Sequence, residues 1–566
     1  MKPDAFRQRR QDRWVFIGMA LLYALMATFY WRPIRVLAKP DEAAHLLYVY
    51  QVREGVLWPV WDPAPSGLWH VDERSQPPLY YWLAALVTAP TPVSDPHTWI
   101  EENPFFLHMA PYGNGARAIP RAEGAPFMYA LRVFSWLLGL LVLAAAYRGA
   151  RVWAPSPLAF LPGFLLLLTP TFLFLQTGIT NTALAIVWAT LLYGEMLAAW
   201  RRGFQAVPAW RWTLLLGLAL YTRHDALFLL FPLFVLLLWG MWRGERVWPV
   251  VKGVGSALLL SLPLWVRNVW LYHDPLVRRA LALRPEPLSW PTLFSSEAGR
   301  LFKTFFIEAG EGFILAPDVF YYAVGGFLIL AGWGLARRGR GKGFDFLLSL
   351  FLPILVVAFF ATRRYYIDAP RYLLTMGFPF FLLWAWGIYG WHDKRLDGLL
   401  LWGWGLLSAM VVLYVVLPVY EPRPARVSGP PQATFARGLH LYEARVLPGE
   451  GEWRIFLAWG ASERVPKNYV VFVHAYNRAG ELVAQEDTHP LYGAYPTSWW
   501  EPGFAWWDPH RLILPAGGCR DGLRIAIGLY DWETKQRLIP QLHDKAISSD
   551  GTVVIYPPQA IPRGKK

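Results

Sequence analysis

The chain has 566 residues, 55% hydrophobic and 17% charged, with 32 Trp; that much apolar surface excludes an ordinary soluble protein and has to face lipid. Its formal net charge of +14 is spread as short Lys/Arg clusters between apolar runs, without the basic stripe that a nucleic-acid binder needs. A single cysteine, Cys519, excludes an intramolecular disulfide framework and a Cys-based metal cluster, and nothing nearby would activate it as a nucleophile.

The first apolar run, Trp14 to Tyr30, follows the basic stretch Arg7 to Arg13 but lacks a small-x-small cleavage site, so it reads as an uncleaved first helix. Further runs near the roughly 20 residues needed to span a bilayer begin at Phe127, Leu158, Thr182, Trp212, Ala226, Trp248, Phe320, Phe344, Tyr372 and Leu399, giving about eleven spans. With a cytoplasmic N-terminus, the short basic loops (Arg148 and Arg151; Arg201, Arg202 and Arg211; Arg243, Arg246 and Lys252; Arg337 to Lys342; Lys394 and Arg395) all fall on the cytoplasmic side. The spans at Trp212 and Ala226 are separated only by Arg223-His224-Asp225, and merging them would invert everything downstream. Pro77 to Ala89 is apolar but too short to cross, so it reads as an interfacial or re-entrant element. Residues 38–126 and 268–319 then become long outer loops of a membrane domain covering 1–420. A Pro-rich linker, 421–431, leads to residues 432–566, where short alternating stretches broken by Gly, Pro and Asn predict an antiparallel β-sandwich on the outer side.

The first outer loop opens on Lys39-Pro40-Asp41-Glu42-Ala43-Ala44-His45. Two adjacent carboxylates at the mouth of a membrane are costly to desolvate unless they bind something or do chemistry, and a carboxylate in a low-dielectric surround suits a general base. The competing reading is a cap on an interfacial helix. Outer-face cations break the positive-inside pattern: Arg363, Arg364 and Arg371 around Tyr365 and Tyr366, Arg223 and His224 at another turn, and Arg267, Arg278, Arg279 and Lys303 in the second loop. Such guanidinium groups suit a lipid phosphate, as a specific ligand or simply by snorkelling to bilayer headgroups. His45, His70, Asp72, Glu73, His273 and Asp274 are ligand types for a divalent metal ion, without the spacing of a closed site. Trp58, Trp61, Trp69, Tyr80, Tyr81 and Trp82 could stack on sugar rings or form an interfacial aromatic belt.

One helix, then Pro40-Asp41-Glu42 with His45 following, then Ser75-Gln76-Pro77-Pro78-Leu79-Tyr80-Tyr81, then Leu131-Arg132 entering the second span: this order resembles the GT-C glycosyltransferases of the protein O-mannosyltransferase and aminoarabinose-transferase type. The resemblance runs from about Trp14 to Pro418 and takes in Leu262-Pro263-Leu264-Trp265 and Arg371-Tyr372. It implies a catalytic Asp41 with Glu42 as its active-site neighbour, a juxtamembrane helix at Pro77 to Tyr81, and a polyprenyl-phosphate sugar donor. Two positions depart from the pattern. Ser75 stands where the family often has an acidic or His residue associated in some members with metal, and Ile179-Thr180-Asn181-Thr182 opens the fourth helix where many have Asp.

The resulting expectation is a mainly α, polytopic GT-C-type bundle followed by an all-β sandwich, in a bacterial inner membrane. It transfers sugar to a glycan, lipid or protein acceptor outside the cytoplasm. Asp41 is the base; Arg363, Arg364, Arg371, Arg223 and Lys303 bind the donor phosphate; His45, Gln76, Tyr80, Tyr81, Asn181, His224, Tyr365 and Tyr366 line the site. A lipid or polysaccharide flippase and a non-catalytic envelope scaffold are the alternatives. Spanning stretches nearly free of charge and the lack of repeated halves speak against a transporter.

Overall fold

The computed structural model describes residues 3–555 apart from 40, 63–71, 106–117, 122–123, 155–157, 279–283, 308–314, 339–341, 366–372, 390, 392–393, 450, 516–522 and 543–551. Tyr366, Arg371, His70, Arg279 and Cys519 therefore lie outside the described residues. The chain forms two compact units, one of Met1–Arg32, Lys39–Pro96 and Pro126–Val416, the other of Pro33–Ala38, His97–Ala125 and Leu417–Lys566.

The first unit is helical and belongs to an integral membrane protein. Among the described residues, seven helices are long and apolar enough to span: Arg10–Trp31, Ala125–Ala150, Thr182–Arg202, His224–Trp242, Trp248–Tyr272, Asp318–Arg337 and Arg395–Tyr420. Large apolar side chains such as Leu21, Leu25, Trp242, Trp270 and Trp402 point outward from them, as lipid-facing residues must. The other four apolar runs of the sequence are helical but do not pass the same test individually. Ala209–Leu220, Asp345–Ala361 and Leu374–Tyr389 are shorter, and Leu158–Leu167 with Pro170–Gln176 forms a pair bent by 72°. The bend falls at Pro170, whose ring and missing N–H prevent the helix from continuing straight. A helix of 12 residues such as Ala209–Leu220 rises only about 18 Å, short of the roughly 30 Å hydrocarbon core. Trp212 and Ala226 do lie on separate helices, divided by the turn at Thr222 and Arg223.

The elements that shape the site are α1 (Pro3–Trp31), α2 (Glu42–Arg53), α3 (Leu79–Val87), α4 (Ala125–Ala150), α5 (Leu161–Leu167), α6 (Pro170–Gln176), α7 (Thr182–Arg202) and α8 (Ala209–Leu220). The second long loop read from the sequence is not irregular throughout, since Ala298–Phe306 is helical. Close helix packing depends on small residues where no hydrophobic effect separates protein from lipid. A Cβ on Gly387 would collide with the backbone carbonyl of Ala331, and one on Gly334 with that of Gly387. Gly387→Val is therefore expected to cost about 1–3 kcal/mol through overpacking, read as a lower melting temperature in detergent; an unchanged melt would remove this account of the crossing.

The second unit carries the strands β1 (Ile100–Glu102), β2 (Ala118–Pro120), β3 (Arg423–Pro424), β4 (Ala433–Phe435), β5 (Leu439–Leu447), β6 (Glu452–Ala461), β7 (Tyr469–Tyr476), β8 (Leu482–Thr488), β9 (Ala505–Ile513), β10 (Arg524–Asp531), β11 (Gln541–Leu542) and β12 (Val553–Ile555). They form antiparallel sheets of order β11-β4-β5-β6-β9-β3 and β12-β10-β7-β8, plus the hairpin β1-β2. Pro424, which cannot donate to a ladder, sits on the edge strand β3, where the Pro-rich stretch after the last helix pairs with Trp506 and Trp507. Part of the first long loop belongs to this unit. Asn468 donates to Glu101 (3.1 Å), Asn103 to the Tyr492 carbonyl (3.2 Å) and the Trp499 indole to the Pro120 carbonyl (2.6 Å).

Inside this unit His510 is buried between two acids, with Nε2 2.9 Å from Asp508 and Nδ1 3.0 Å from Glu486. Burial alone would lower its pKa, but the two carboxylates outweigh that and raise it to about 10. A folded-state value above the ordinary histidine value of about 6.5 means that this contribution is complete below about pH 6.5 and is lost as pH rises through about 10. His510→Gln should therefore destabilise the β unit at neutral pH and flatten the loss of stability between pH 7 and 10, followed by circular dichroism of its strands. An unaltered pH profile in the variant would contradict the assignment.

Candidate functional site

Asp41 opens α2 in the left-handed region (φ 57°, ψ 8°), a conformation that Asp tolerates better than most residues. Its side chain makes no capping hydrogen bond to the helix, and it is half-buried. The helix it starts is anchored by its neighbour. Glu42 is buried and accepts from Arg132 Nε (2.9 Å) and a terminal nitrogen (2.8 Å), from the Ile179 amide (2.9 Å) and from the Lys39 amide (3.3 Å). A bidentate guanidinium and two backbone donors compensate a carboxylate that burial would otherwise strongly penalise.

The bend at Pro170 brings the other half of this arrangement within reach. The helix α6 that it opens ends at Gln176, leaving carbonyls without helical partners. Lys39, also buried, donates to one of them, Phe174 (2.8 Å), and to Thr177 Oγ1 (2.5 Å). Burial and the Arg132 guanidinium push its amine well below the ordinary lysine range, against the opposite pull of Glu42. Gly178 makes the close approach possible, since a Cβ there would lie 3.0 Å from Lys39 Cδ and 3.4 Å from Glu42 Oε1.

A second chain of polar contacts runs from α2 to the turn after α8. His45 Nδ1 is 2.9 Å from the Tyr81 hydroxyl, Asn181 Nδ2 donates to that hydroxyl (3.4 Å), and Arg223 donates to Asn181 Oδ1 (2.5 Å) and Thr182 Oγ1 (2.8 Å) while its Nε holds Asp225 (2.9 Å). Directionality follows from what each group can do. Arginine only donates, so the Asn181 oxygen faces Arg223 and its amide nitrogen faces Tyr81, whose hydroxyl in turn shares a hydrogen bond with His45 Nδ1. Burial raises the Tyr81 pKa well above the usual phenol value, keeping the hydroxyl a neutral relay. Tyr48 stacks on Tyr81 with centroids 3.6 Å apart, and Tyr80 reaches Ser135 (3.3 Å). His224 Nε2 bonds the Ser75 carbonyl (2.8 Å), and the Gln76 carbonyl accepts from Tyr48 (3.4 Å).

The structure thus gathers Glu42, His45, Tyr80, Tyr81, Asn181 and Arg223, with His224 and Gln76 tied to the same segments. It engages Arg363 and Lys303 in other contacts. Arg363 donates to the Leu288 carbonyl (3.1 Å) and lies over Trp290; Lys303 pairs with Asp318 (2.6 Å). Arg364 is exposed and Tyr365 half-buried. Among the described residues no group of three His, Cys, Asp or Glu gathers around a metal-sized position. Sequence reasoning passed over Lys39, although it adjoins the acidic pair, and Gln176, fully buried with neither amide atom hydrogen-bonded among the described residues. Nothing in an apolar run marks one glutamine as lying at a helix end.

No protein-family model matches the sequence, and no curated protein matches it. Similar solved structures include ArnT from Cupriavidus metallidurans bound to undecaprenyl phosphate, 17% identical with a TM-score of 0.46 over 70% of this chain and 64% of that one. They also include the Archaeoglobus fulgidus oligosaccharyltransferase tethered to an acceptor peptide (11% identity, TM-score 0.41, 71% of this chain and 55% of that one). A third is the oligosaccharyltransferase AglB of the same organism, in complex with an inhibitory peptide and a dolichol-phosphate (12%, 0.40, 71% and 56%). The chain spans less than two thirds of the length of each of these proteins.

Proposed function

We propose that the chain is a membrane glycosyltransferase that moves a sugar from a polyprenyl-phosphate donor to an acceptor on the extracytoplasmic face, with Asp41 as general base. The observation that carries this reading is the backbone of Asp41, left-handed (φ 57°) at the first turn of α2 and set beside the buried Glu42, whose four hydrogen bonds fix that turn; the Asp41 side chain makes no capping hydrogen bond to the helix, so capping does not explain the pair. Its left-handed backbone stores strain of about 1–3 kcal/mol, of the kind that clusters at working sites.

In this mechanism Asp41 takes the proton of an acceptor nucleophile, which attacks the anomeric carbon as the bond to the donor phosphate breaks, inverting the configuration. Glu42, Arg132 and Lys39 hold the turn that presents Asp41. Arg364 and Arg371 are assigned to the departing phosphate, whose developing charge guanidinium groups stabilise. Arg363 fixes their loop through the Leu288 carbonyl. Incubating the purified protein with a panel of polyprenyl-phosphate sugars should release free polyprenyl phosphate from one of them in the presence of an acceptor. Failure with every donor, or labelling that places Lys39 to His45 on the cytosolic side, would overturn the reading.

A further inference from the structure

A cavity of about 140 Å³ opens between α4, α7 and α8, at Arg148, Glu195, Arg202 and Arg211. It lies sixteen residues further along α4 than Arg132, roughly 24 Å at the helical rise, so it is separate from the Asp41 end of the bundle. Its charges do not balance. Glu195 is almost buried and accepts from Arg148 (3.1 Å) and Arg211 (3.4 Å), one on each oxygen. Arg202, exposed on the rim, makes no ion pair among the described residues. Three cations against one anion leave a surplus of two positive charges. Each guanidinium has five N–H donors, and Arg148 and Arg211 each spend a single side-chain hydrogen bond, on Glu195. Scattered positive-inside arginines would splay toward water; here one buried carboxylate draws two of them over a common hollow. That volume is several times what a single water needs and enough for a phosphate group. Trp210, exposed beside Arg211 with its ring centroid 5.5 Å from the guanidinium carbon, has the character of an interfacial anchor at headgroup depth.

We propose that this cavity binds the phosphate group of an anionic phospholipid from the surrounding leaflet. Arg148, Arg202 and Arg211 donate to the phosphate oxygens, and Glu195 orients two of the three. The inference is independent of the transferase reading and stands or falls without any measurement of sugar transfer.

The test uses the full chain in nanodiscs of equal phosphatidylglycerol and phosphatidylcholine, with retained lipid identified by native mass spectrometry after detergent extraction. Phosphatidylglycerol should be enriched. Arg202→Ala, which leaves both Glu195 pairs intact, should reduce the enrichment about fivefold, the worth of one cation near an anionic lipid. Ala198→Phe, which fills the cavity at unchanged charge, should abolish it. Millimolar inorganic phosphate separates the sources: no displacement supports a lipid headgroup as stated, whereas full displacement overturns the lipid assignment in favour of a free anion. Equal retention of the two lipids, or enrichment unchanged in both variants, would also overturn the proposal.

Discussion

Asp41→Asn is expected to cut sugar transfer by roughly 10²–10⁴-fold, the usual worth of a general base, while the protein still folds and still retains donor lipid. Asparagine is a demanding choice because it is isosteric and accepts the left-handed backbone as readily as aspartate. The φ of 57° at this position therefore survives the substitution, and only proton acceptance is lost. Transfer should be followed as release of polyprenyl phosphate, with donor retention and thermal stability measured on the same preparation. Loss of folding along with activity would make Asp41 a structural residue, and full activity would remove it from the chemistry; a scaffold protein would be indifferent.

Arg132→Ala should be the more damaging change to the fold. It leaves the Glu42 carboxylate buried with only the two backbone donors from Lys39 and Ile179. Breaking a buried pair from one side typically costs about 3–5 kcal/mol, because the partner keeps its desolvation penalty without its compensating charge. The paired replacement Glu42→Leu with Arg132→Met should be markedly less destabilised than the single variant, since neither member of the pair is left buried without the other. Its transfer activity should nevertheless stay low, because the clamp that holds the Lys39 to Asp41 turn has gone. Melting in detergent separates the two effects. A single variant as stable as the parent would mean that solvent reaches Glu42; a fully active double variant would free Asp41 from the clamp.

The two positions that depart from the family pattern also have a physical reading in this structure. With Asn181 in place of an Asp, the amide nitrogen faces Tyr81 and donates to its hydroxyl. An Asp there would accept from both Arg223 and Tyr81, committing the tyrosine proton to the carboxylate. Ser75 takes part through its backbone, its carbonyl holding His224 (2.8 Å), so its side chain is not what ties these segments together.

Composition and periodicity by themselves determined that this is a membrane protein, that it carries a series of apolar helical stretches, and that β structure follows them. Those features depend on local sequence: a run of apolar residues, a proline, an alternation of side chains. Asp41 and Glu42 were legible as a pair for the same reason, being adjacent. What holds Glu42 was not, because Arg132, 90 residues away, and Ile179, 137 residues away, reach it only in the folded chain. The same holds for Arg363 and Lys303, read from sequence as outer-face cations for a phosphate. Tertiary packing commits one to the Leu288 carbonyl and the other to Asp318. The attachment of Glu101, Asn103 and Pro120 to a β unit more than 360 residues away is likewise invisible along the chain. Local sequence fixes which groups are costly to bury; only the folded chain decides which partners compensate a carboxylate such as Glu42.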